Sequence, residues 1–333
     1  MTVHYFFGRL QVGKFASRRN FGYGKKIECA GHQALITIFG KGHFSTVAGH
    51  TGRWGRFCQW AHAVHDIRDA RGVGQPIVED YAAALSEQVI DESMKVSYAQ
   101  NLLTSVNVTL EALRKDHKVR IDSPSQWVGR RCTFRMDQPT GFSWETVNGA
   151  VTRLNEIDLP RAAVVVQLAR SFGVRLREAV LLDISAGERQ AHNNGAIDVR
   201  KGTKGARGKD VERWVPISEE GKQALLEAAR VRDALGCGNN LLRPDESYNT
   251  FVNDREINRA RRYLHQAGIK GYHDLRSAWA CDRYQQLTGH PAPVFQPDTR
   301  IDPEKDRKAR EALARELGHD RIGVVAEYIG ARP

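Results

Sequence analysis

The sequence lacks the features that define several common classes of protein. It has only five cysteines, which are widely scattered and form no CxxC pair, so no zinc ribbon or dithiol redox motif is indicated. Because five is an odd number, the cysteines cannot all pair within one chain, and reduced thiols in a cytosolic protein are the favoured interpretation. No segment approaches the roughly 18 uninterrupted apolar residues of a membrane span. The first ten residues contain no long apolar core and no small-residue cleavage site, so we expect neither a signal peptide nor a membrane partner.

Acidic residues are also in short supply. The 333 residues include 50 Lys and Arg against 39 Asp and Glu, which gives a formal net charge of +11. Such an excess of positive charge favours polyanionic partners, although it does not indicate a fold. Apolar residues make up 41% of the chain, which is enough for the cores of two domains.

The N-terminal third divides into a basic segment and a helical domain. Residues 1–30 carry six basic residues against one acidic residue and show no sustained helical period. They form either a solvated, partly disordered tail or an arm that neutralises phosphates. Residues 31–128 show helical periodicity, with Trp54, Phe57 and Trp60 on one face. A second apolar stripe is predicted to face the same core: Tyr98, Leu102, Val106, Leu110 and Leu113.

The rest of the chain is predicted to form a linker and a second domain. Residues 129–145 lack a helical period and end in turn residues, which indicates the linker, and residues 146–333 follow as the C-terminal domain. The elements predicted in that domain are a helix over 156–182 that is interrupted at Gly173, strands over 196–201 and 211–217, helices over 253–266 and 274–287, an irregular insertion over 289–306, and helices over 303–317 and 322–328.

Four short motifs occur in the C-terminal domain in a fixed order. They are Gly173-Val174-Arg175-Leu176-Arg177-Glu178, His273-Asp274-Leu275-Arg276, Leu317-Gly318-His319, and Tyr328 nine residues after His319. Each motif alone is common, since the spacing of Arg175 and Glu178 is that of an ordinary helical salt bridge. Their joint order is specific. His290 also follows a glycine, but the residue nine positions later is Thr299, which lacks a phenol.

In these motifs the sequence resembles the tyrosine recombinases, the phage-integrase superfamily. The resemblance covers about residues 146–333 and extends more weakly over residues 45–125. The stretches 273–281 and 287–293 further resemble a prophage or mobile-element integrase subgroup. The resemblance implies a mainly α fold, with a small β-hairpin in the catalytic domain (α+β) and a helical core-binding domain before it. A bacterial, nucleoid-associated protein of the cytoplasm is implied as well.

The resemblance also implies a role for each motif residue. Tyr328 would attack a phosphodiester to form a 3′-phosphotyrosine, Arg175 and Arg276 would bind the non-bridging oxygens, and His273 and His319 would make further hydrogen bonds. Planar guanidinium groups suit this role because they bind phosphate oxygens bidentately and stabilise the charge of the transition state. A phenol is mostly protonated at neutral pH, so it needs a cationic pocket or a base before it attacks. No cofactor, metal or ATP is implied, because the phosphotyrosine keeps the bond energy.

The departing 5′ oxygen needs a proton, and a lysine on the hairpin is a suitable general acid. The stretch Val199-Arg200-Lys201-Gly202-Thr203-Lys204 resembles the family pattern Gly-Lys-Gly-x-x-Lys at its first three positions, except that Arg200 replaces the first glycine. Lys201 is the predicted general acid and Lys204 is its rival. Glu178 is expected to orient Arg175, or alternatively to form a pair on the helix surface.

Further basic side chains are predicted to contact DNA phosphates, with a solvated face as the alternative for those on helices. They are Lys204, Arg207 and Lys209 beside the hairpin, Arg130, Arg131 and Arg135 in the linker, Arg53 and Arg56 in the first domain, and Arg255, Arg259 and Arg262 on the basic helix over 253–266.

The sequence departs from the family pattern in two places. Arg276 and His319 are separated by 43 positions, about twice the usual spacing, and the insertion over 289–306 is either a contact element or a tolerated surface loop. Only five residues follow Tyr328, where many relatives carry a longer helix that docks on a neighbouring subunit.

The resemblance implies duplex DNA recombination sites as the partner, with self-association, as a tetramer in the synapse, and an accessory DNA-bending or directionality protein as a further partner. The predicted function is site-specific DNA recombination. Two alternatives remain at this point: a type IB topoisomerase-like nicking-closing enzyme, and a catalytically silent DNA-binding regulator.

Overall fold

The computed structural model divides the chain into two units, Met1–Cys132 and Thr133–Pro333. The residues that it describes are 17–203, 212–254, 256–298, 300–319 and 321–332. Within them the fold is mainly α with one small antiparallel sheet, so the predicted fold class is confirmed. No helix in this part of the chain is long and apolar enough to cross a membrane.

The described part of the first unit is helical. Its helices are α1 (Ile27–Phe39), α2 (Phe44–His65), α3 (Gln75–Ile90), α4 (Val96–Arg114) and α5 (Pro124–Val128). Trp54 of α2 is fully buried, and its Nε1 donates to the carbonyl of Ile27 at 3.1 Å. Gly31 of α1 permits this approach, because a Cβ there would lie 2.2 Å from the indole nitrogen. The close contact of α1 with α2 is therefore part of the core of this unit.

Two predictions for the first unit need correction. The stripe on α4 is buried from Leu102 to Leu113, but Tyr98 is 36% exposed, because its hydroxyl accepts a hydrogen bond from Arg56 at the protein surface. The predicted arm over 1–30 extends too far, because α1 begins at residue 27.

The described residues that precede α1 are tied into the unit. The buried Asn20 donates through its backbone N–H to Asp69 at 2.9 Å and accepts from the backbone N–H of Ala70 at 2.7 Å. A freely solvated tail is therefore the wrong description of residues 17–30. The remainder of the predicted arm, residues 1–16, lies outside the described residues.

The second unit packs helices around an almost wholly buried α7. Its elements are α6 (Trp144–Glu156), α7 (Pro160–Phe172), α8 (Leu176–Leu181), α9 (Ile184–Asn194), β1 (Ala196–Asp198), β2 (Trp214–Pro216), α10 (Glu219–Ala234), α11 (Glu256–Gln266), α12 (Tyr272–Thr288), α13 (Pro303–Glu316) and α14 (Ala326–Ile329). The single helix predicted over 156–182 is thus two helices and part of α6. The interruption lies at Gly173, as predicted, where φ is +59°.

The hairpin and the insertion complete this unit. β1 and β2 pair antiparallel with Ile197 opposite Val215, and both strands are shorter than predicted. Residues 289–302 connect α12 to α13 and pack back onto the chain end: the N–H of Val294 donates to the carbonyl of Ile329 at 2.9 Å. The insertion therefore contacts the segment that carries Tyr328.

Candidate active site

The turn between α7 and α8 positions Arg175. Gly173 adopts a left-handed conformation, and a Cβ there would lie 2.2 Å from the ring of Trp279, so only glycine fits this turn. Arg175 then caps α8. Its backbone N–H donates to Glu178 Oε2 and its Nη1 donates to Glu178 Oε1, both at 2.7 Å. The motif spacing of three residues thus places one carboxylate under both the backbone and the side chain of Arg175.

Glu178 is the centre of a buried charge cluster. It is 0% exposed, and Arg213 donates to its two oxygens at 2.9 and 3.0 Å, while Nη1 of Arg276 lies 3.6 Å away. Burial alone would raise the pKa of Glu178, but Arg213, with Arg276 and Arg175, outweighs it and lowers the pKa to about 2. Glu178 is therefore ionised at neutral pH, and the helix-surface alternative is wrong.

Arg276 lies deepest in the site. It is 1% exposed, and its guanidinium donates to the carbonyls of Gly173 and Leu317. Burial lowers its pKa to about 10, which still leaves it charged at neutral pH. The guanidinium carbon lies 5.2 Å from the ring centroid of Tyr328. The charge of Arg276 is thus held by fixed carbonyls beside the phenol.

The tautomer of His319 follows from its neighbours. Nη2 of Arg175 and Nη2 of Arg276 each lie 3.4 Å from His319 Nε2, and the Tyr328 hydroxyl lies 3.0 Å from the same atom. A guanidinium can only donate, so Nε2 must carry the lone pair and the ring proton must reside on Nδ1. Burial, and then the charges of Arg276 and Arg175, lower the pKa of His319 to about 4. His319 is therefore neutral at pH 7 and can accept the phenol proton.

Tyr328 is held between these groups and His273. It lies on α14, is 3% exposed, and stacks against the His273 ring with centroids 5.2 Å apart and planes inclined by 16°. His273 lies in the first turn of α12, three residues before Arg276, so the His-x-x-Arg spacing brings both side chains to the phenol from the same face of this helix. The structure brings together all five of the motif residues named as catalytic.

Lys201 is directed elsewhere. Its Nζ donates to Asp183 Oδ2 at 3.0 Å, and the side chain is 57% exposed. The adjoining Gly202 rests on the first turn of α8, where a Cβ would lie 2.7 Å from the carbonyl of Arg177. The hairpin thus meets the site through its backbone, while its lysine is paired with a carboxylate at the start of α9. The rival Lys204 lies outside the described residues.

Part of the second unit matches a family model. Residues 145–282 match the family model described as Integrase. The integrase match includes Arg175 and Arg276 and ends before His319 and Tyr328, so the part of the site that carries the phenol comes from geometry alone. No curated protein matches the chain.

Solved structures resemble the chain weakly. The crystal structure of XerA recombinase aligns with 92% of this chain and 94% of its own, at 16% identity and a TM-score of 0.36. The crystal structure of a lambda integrase tetramer bound to a Holliday junction aligns with 90% of this chain and 77% of its own, at 13% identity and a TM-score of 0.49.

Arg213 is a residue of this site that none of the sequence motifs predicts. It precedes β2, is 5% exposed, and forms the two-point contact with Glu178. A signal was present: alternation along the strand places Arg213 on the same face as the buried Val215. An arginine on the core face of a strand needs a buried carboxylate, and Glu178 is that partner.

The predicted DNA contacts differ in their surroundings. Arg130, Arg131, Arg259 and Arg262 are exposed. Arg135, in contrast, is an internal anchor: it donates to Ser277 at 3.0 Å and to Asp274, and its side chain is only 13% exposed. Its prediction as a phosphate contact needs correction for that reason.

Two arginines of the first unit are also engaged. Arg53 donates to Ser105 at 3.3 Å and Arg56 to Tyr98 at 3.2 Å, although Arg56 stays exposed. The remaining predicted contacts lie outside the described residues: Lys204, Arg207, Lys209 and Arg255. In the described part of the chain, no group of three or more His, Cys, Asp or Glu side chains is arranged to hold a metal ion.

Proposed function

We propose that the protein is a tyrosine-type site-specific DNA recombinase, which cleaves and rejoins DNA through a 3′-phosphotyrosine. One observation carries the proposal: the Tyr328 hydroxyl lies 3.0 Å from the unprotonated Nε2 of His319, and two guanidinium groups lie 3.4 Å from that nitrogen. A nucleophile, a base and two phosphate-binding cations therefore share one pocket. The integrase match over residues 145–282 supports the same reading.

In the first step, the Tyr328 oxygen attacks the phosphorus of the scissile phosphodiester. The phenol proton passes to His319 Nε2, and the bond from phosphorus to the 5′ oxygen breaks. Arg175 and Arg276 bind the non-bridging oxygens, where negative charge increases in the transition state. Lys201 gives a proton to the departing 5′ oxygen. In the reverse direction, a 5′ hydroxyl attacks the phosphotyrosine and returns the phenol, so neither metal nor ATP is needed.

The charges of the site control the strength of His319 as a base. The arginines that lower the pKa of His319 to about 4 make it a weak base in the free protein. A bound phosphate brings a negative charge next to the same arginines and offsets them, so the pKa of His319 rises when substrate is present. Proton transfer is thus coupled to DNA binding.

Lys201 must leave Asp183 before it can act. Their pair is more than half exposed on the lysine side, and such surface pairs contribute only about 0–1 kcal/mol. A DNA phosphate at the hairpin can therefore compete for the lysine.

The substrate proposed is duplex DNA that carries recombination sites, bound by several protomers that act as a tetramer in the synapse. The exposed Arg259 and Arg262 on α11, and the exposed Arg130 and Arg131 near the end of the first unit, supply positive charge for phosphate contacts. We place the protein among the integrases of mobile elements such as prophages, on the strength of the sequence resemblance.

A nicked suicide substrate tests the proposal. Duplexes from the DNA that flanks the encoding gene are nicked near the cleavage position, so that the released strand diffuses away and the covalent adduct accumulates. The wild-type protein should form an adduct that resists denaturation, and Tyr328→Phe should form none. An adduct that persists in Tyr328→Phe overturns the assignment.

The same substrates separate the alternatives. Relaxation of supercoiled DNA without paired sites would indicate a nicking-closing enzyme instead. Site-specific binding without any adduct would indicate a silent regulator.

A further inference from the structure

We infer that Arg310 is a positioning residue for Tyr328. Arg310 holds in place the backbone that follows Tyr328. The inference rests on the proposed function of Tyr328. It assigns to α13 and to the insertion over 289–302 a role in aligning the phenol on His319.

Arg310 binds the chain that follows Tyr328. It lies on α13 and is 1% exposed, and it donates from Nη1 to the carbonyl of Gly330 at 3.3 Å and from Nη2 to the carbonyl of Ala331 at 3.0 Å. Both acceptors belong to the backbone two and three residues beyond the phenol. The contact therefore fixes the path of the chain and is independent of the side chains there.

The guanidinium of Arg310 is itself fixed. Its Nε donates to both oxygens of Asp306 at 2.8 and 3.0 Å, and the hydroxyl of Tyr284 donates to the same carboxylate at 2.6 Å. Asp306 lies on α13, and Tyr284 lies on α12, the helix that also carries His273 and Arg276. Because the planar fork is held by a buried carboxylate, it can direct its two outer nitrogens at the two carbonyls without a large loss of rotamer entropy.

The insertion makes a second contact with the backbone beside Tyr328. The N–H of Val294 donates to the carbonyl of Ile329 at 2.9 Å. Gly330 turns the chain with φ of +96°, and a Cβ there would lie only 2.8 Å from the nitrogen of Val294. Glycine is thus required at this position both by the backbone conformation and by the close approach of the insertion.

The helix that carries Tyr328 depends on such outside contacts. α14 has four residues, which is too short for a helix that is stable by itself. At its start, the carbonyl of Ala326 accepts from the backbone N–H of Arg135 at 2.8 Å. The phenol therefore lies between the Arg135 contact before it and the Val294 and Arg310 contacts after it, and removal of the Arg310 tether should let Tyr328 shift relative to His319. A misplacement of about 1 Å can reduce a rate roughly 10²-fold.

The experiment compares four variants of the full-length protein. Arg310→Ala removes the tether. Arg310→Lys keeps a cation for Asp306 but lacks the planar fork, and Gly330→Ala disturbs the tethered turn. Arg307→Ala is the matched control, because Arg307 lies on the same helix, is 47% exposed and pairs with Glu304 and Glu311 on that helix surface.

Two measurements are made on each variant. Hydrogen exchange of the peptide over 326–332 is followed in the protein without DNA, and single-turnover adduct formation is followed alongside DNA affinity. We expect Arg310→Ala to speed exchange in that peptide and to slow adduct formation about 10²-fold at unchanged DNA affinity. Arg310→Lys and Gly330→Ala should move both readouts in the same direction by smaller amounts, and Arg307→Ala should move neither.

The outcomes separate this inference from the proposed function. Unchanged exchange in all three tether variants overturns the tether. Faster exchange with an unchanged rate of adduct formation overturns the positioning role. Faster exchange in a protein whose wild type forms no adduct supports the tether but overturns the recombinase proposal. If Arg310→Ala does not fold, Arg310→Lys and Gly330→Ala decide the same questions.

Discussion

The two halves of the candidate site are held in very different ways. Arg175 and Arg276, the proposed phosphate-binding residues, are fixed by the buried Glu178 and by backbone carbonyls. Lys201, the proposed proton donor, is exposed and paired with Asp183 at the surface. In the proposed mechanism, the fold therefore preorganises the charge that stabilises the transition state, whereas the substrate must recruit the proton donor.

The largest expected effect comes from removing the exposed lysine of the site, Lys201. Lys201→Ala should slow cleavage by about 10²–10⁴-fold, the usual contribution of a general acid. A substrate in which sulfur replaces the bridging 5′ oxygen should be cleaved by this variant at close to the wild-type rate, because a thiolate leaves without a proton. The measurement is the rate of adduct formation on both substrates.

Lys222→Ala is the control for that prediction, since Lys222 is an exposed lysine paired with Glu219 on α10. Should Lys201→Ala cleave the ordinary substrate at full rate, another donor is the acid, and Lys204 is the first to test.

The next largest effect comes from removing the buried carboxylate of Glu178. Glu178→Ala leaves three arginines close together in the core without their carboxylate, and loss of one partner from a buried charge pair costs about 3–5 kcal/mol. We expect the free energy of unfolding in urea to fall by that amount. Glu304→Ala, which removes an exposed partner of Arg307, should change it by less than about 1 kcal/mol. An equal loss in the two variants would show that the cluster does not organise the core.

A smaller effect concerns pH. The pKa of His319 is lowered to about 4 in the folded protein from an ordinary value of 6.5, so between these values the unfolded chain binds more protons and stability falls as pH falls. His319→Gln should therefore lose less stability than the wild type when urea unfolding is compared at pH 7 and pH 4.5. The exposed His290 provides the control: His290→Gln should keep the wild-type slope, and a loss of slope there would place the titration elsewhere.

The sequence predicts the contacts of Arg175 better than those of Lys201, for a physical reason. Gly173, Arg175 and Glu178 act within one turn, so their spacing reports their contact directly. The meeting of His319 and Tyr328 is implied by the family resemblance, through the joint order and spacing of the motifs, and the Tyr328 hydroxyl lies 3.0 Å from His319 Nε2.

Contacts between residues that are far apart in the sequence leave no such local pattern. Arg213 reaches Glu178 from 35 positions away, and only its place on the buried face of a strand hints at the contact. The insertion shows no period that would reveal Val294 beside Ile329, and the pairing of Lys201 with Asp183 depends on how the hairpin folds back over α9. These partners are set by tertiary packing, which the pattern of one segment does not specify.

The smallest expected effect tests whether Asp183 restrains Lys201 or directs it toward the leaving group. Asp183→Asn removes the charge that holds Lys201 but keeps a side-chain oxygen for the cap of α9, where Asp183 accepts from the N–H of Ala186 at 3.1 Å. Because an exposed pair contributes at most about 1 kcal/mol, cleavage should speed up by no more than about fivefold. The gain should shrink as salt is raised, since salt already weakens the pair in the wild type. If Asp183→Asn instead slows cleavage as strongly as Lys201→Ala, the carboxylate directs the lysine toward the leaving group, and both halves of the site are preorganised.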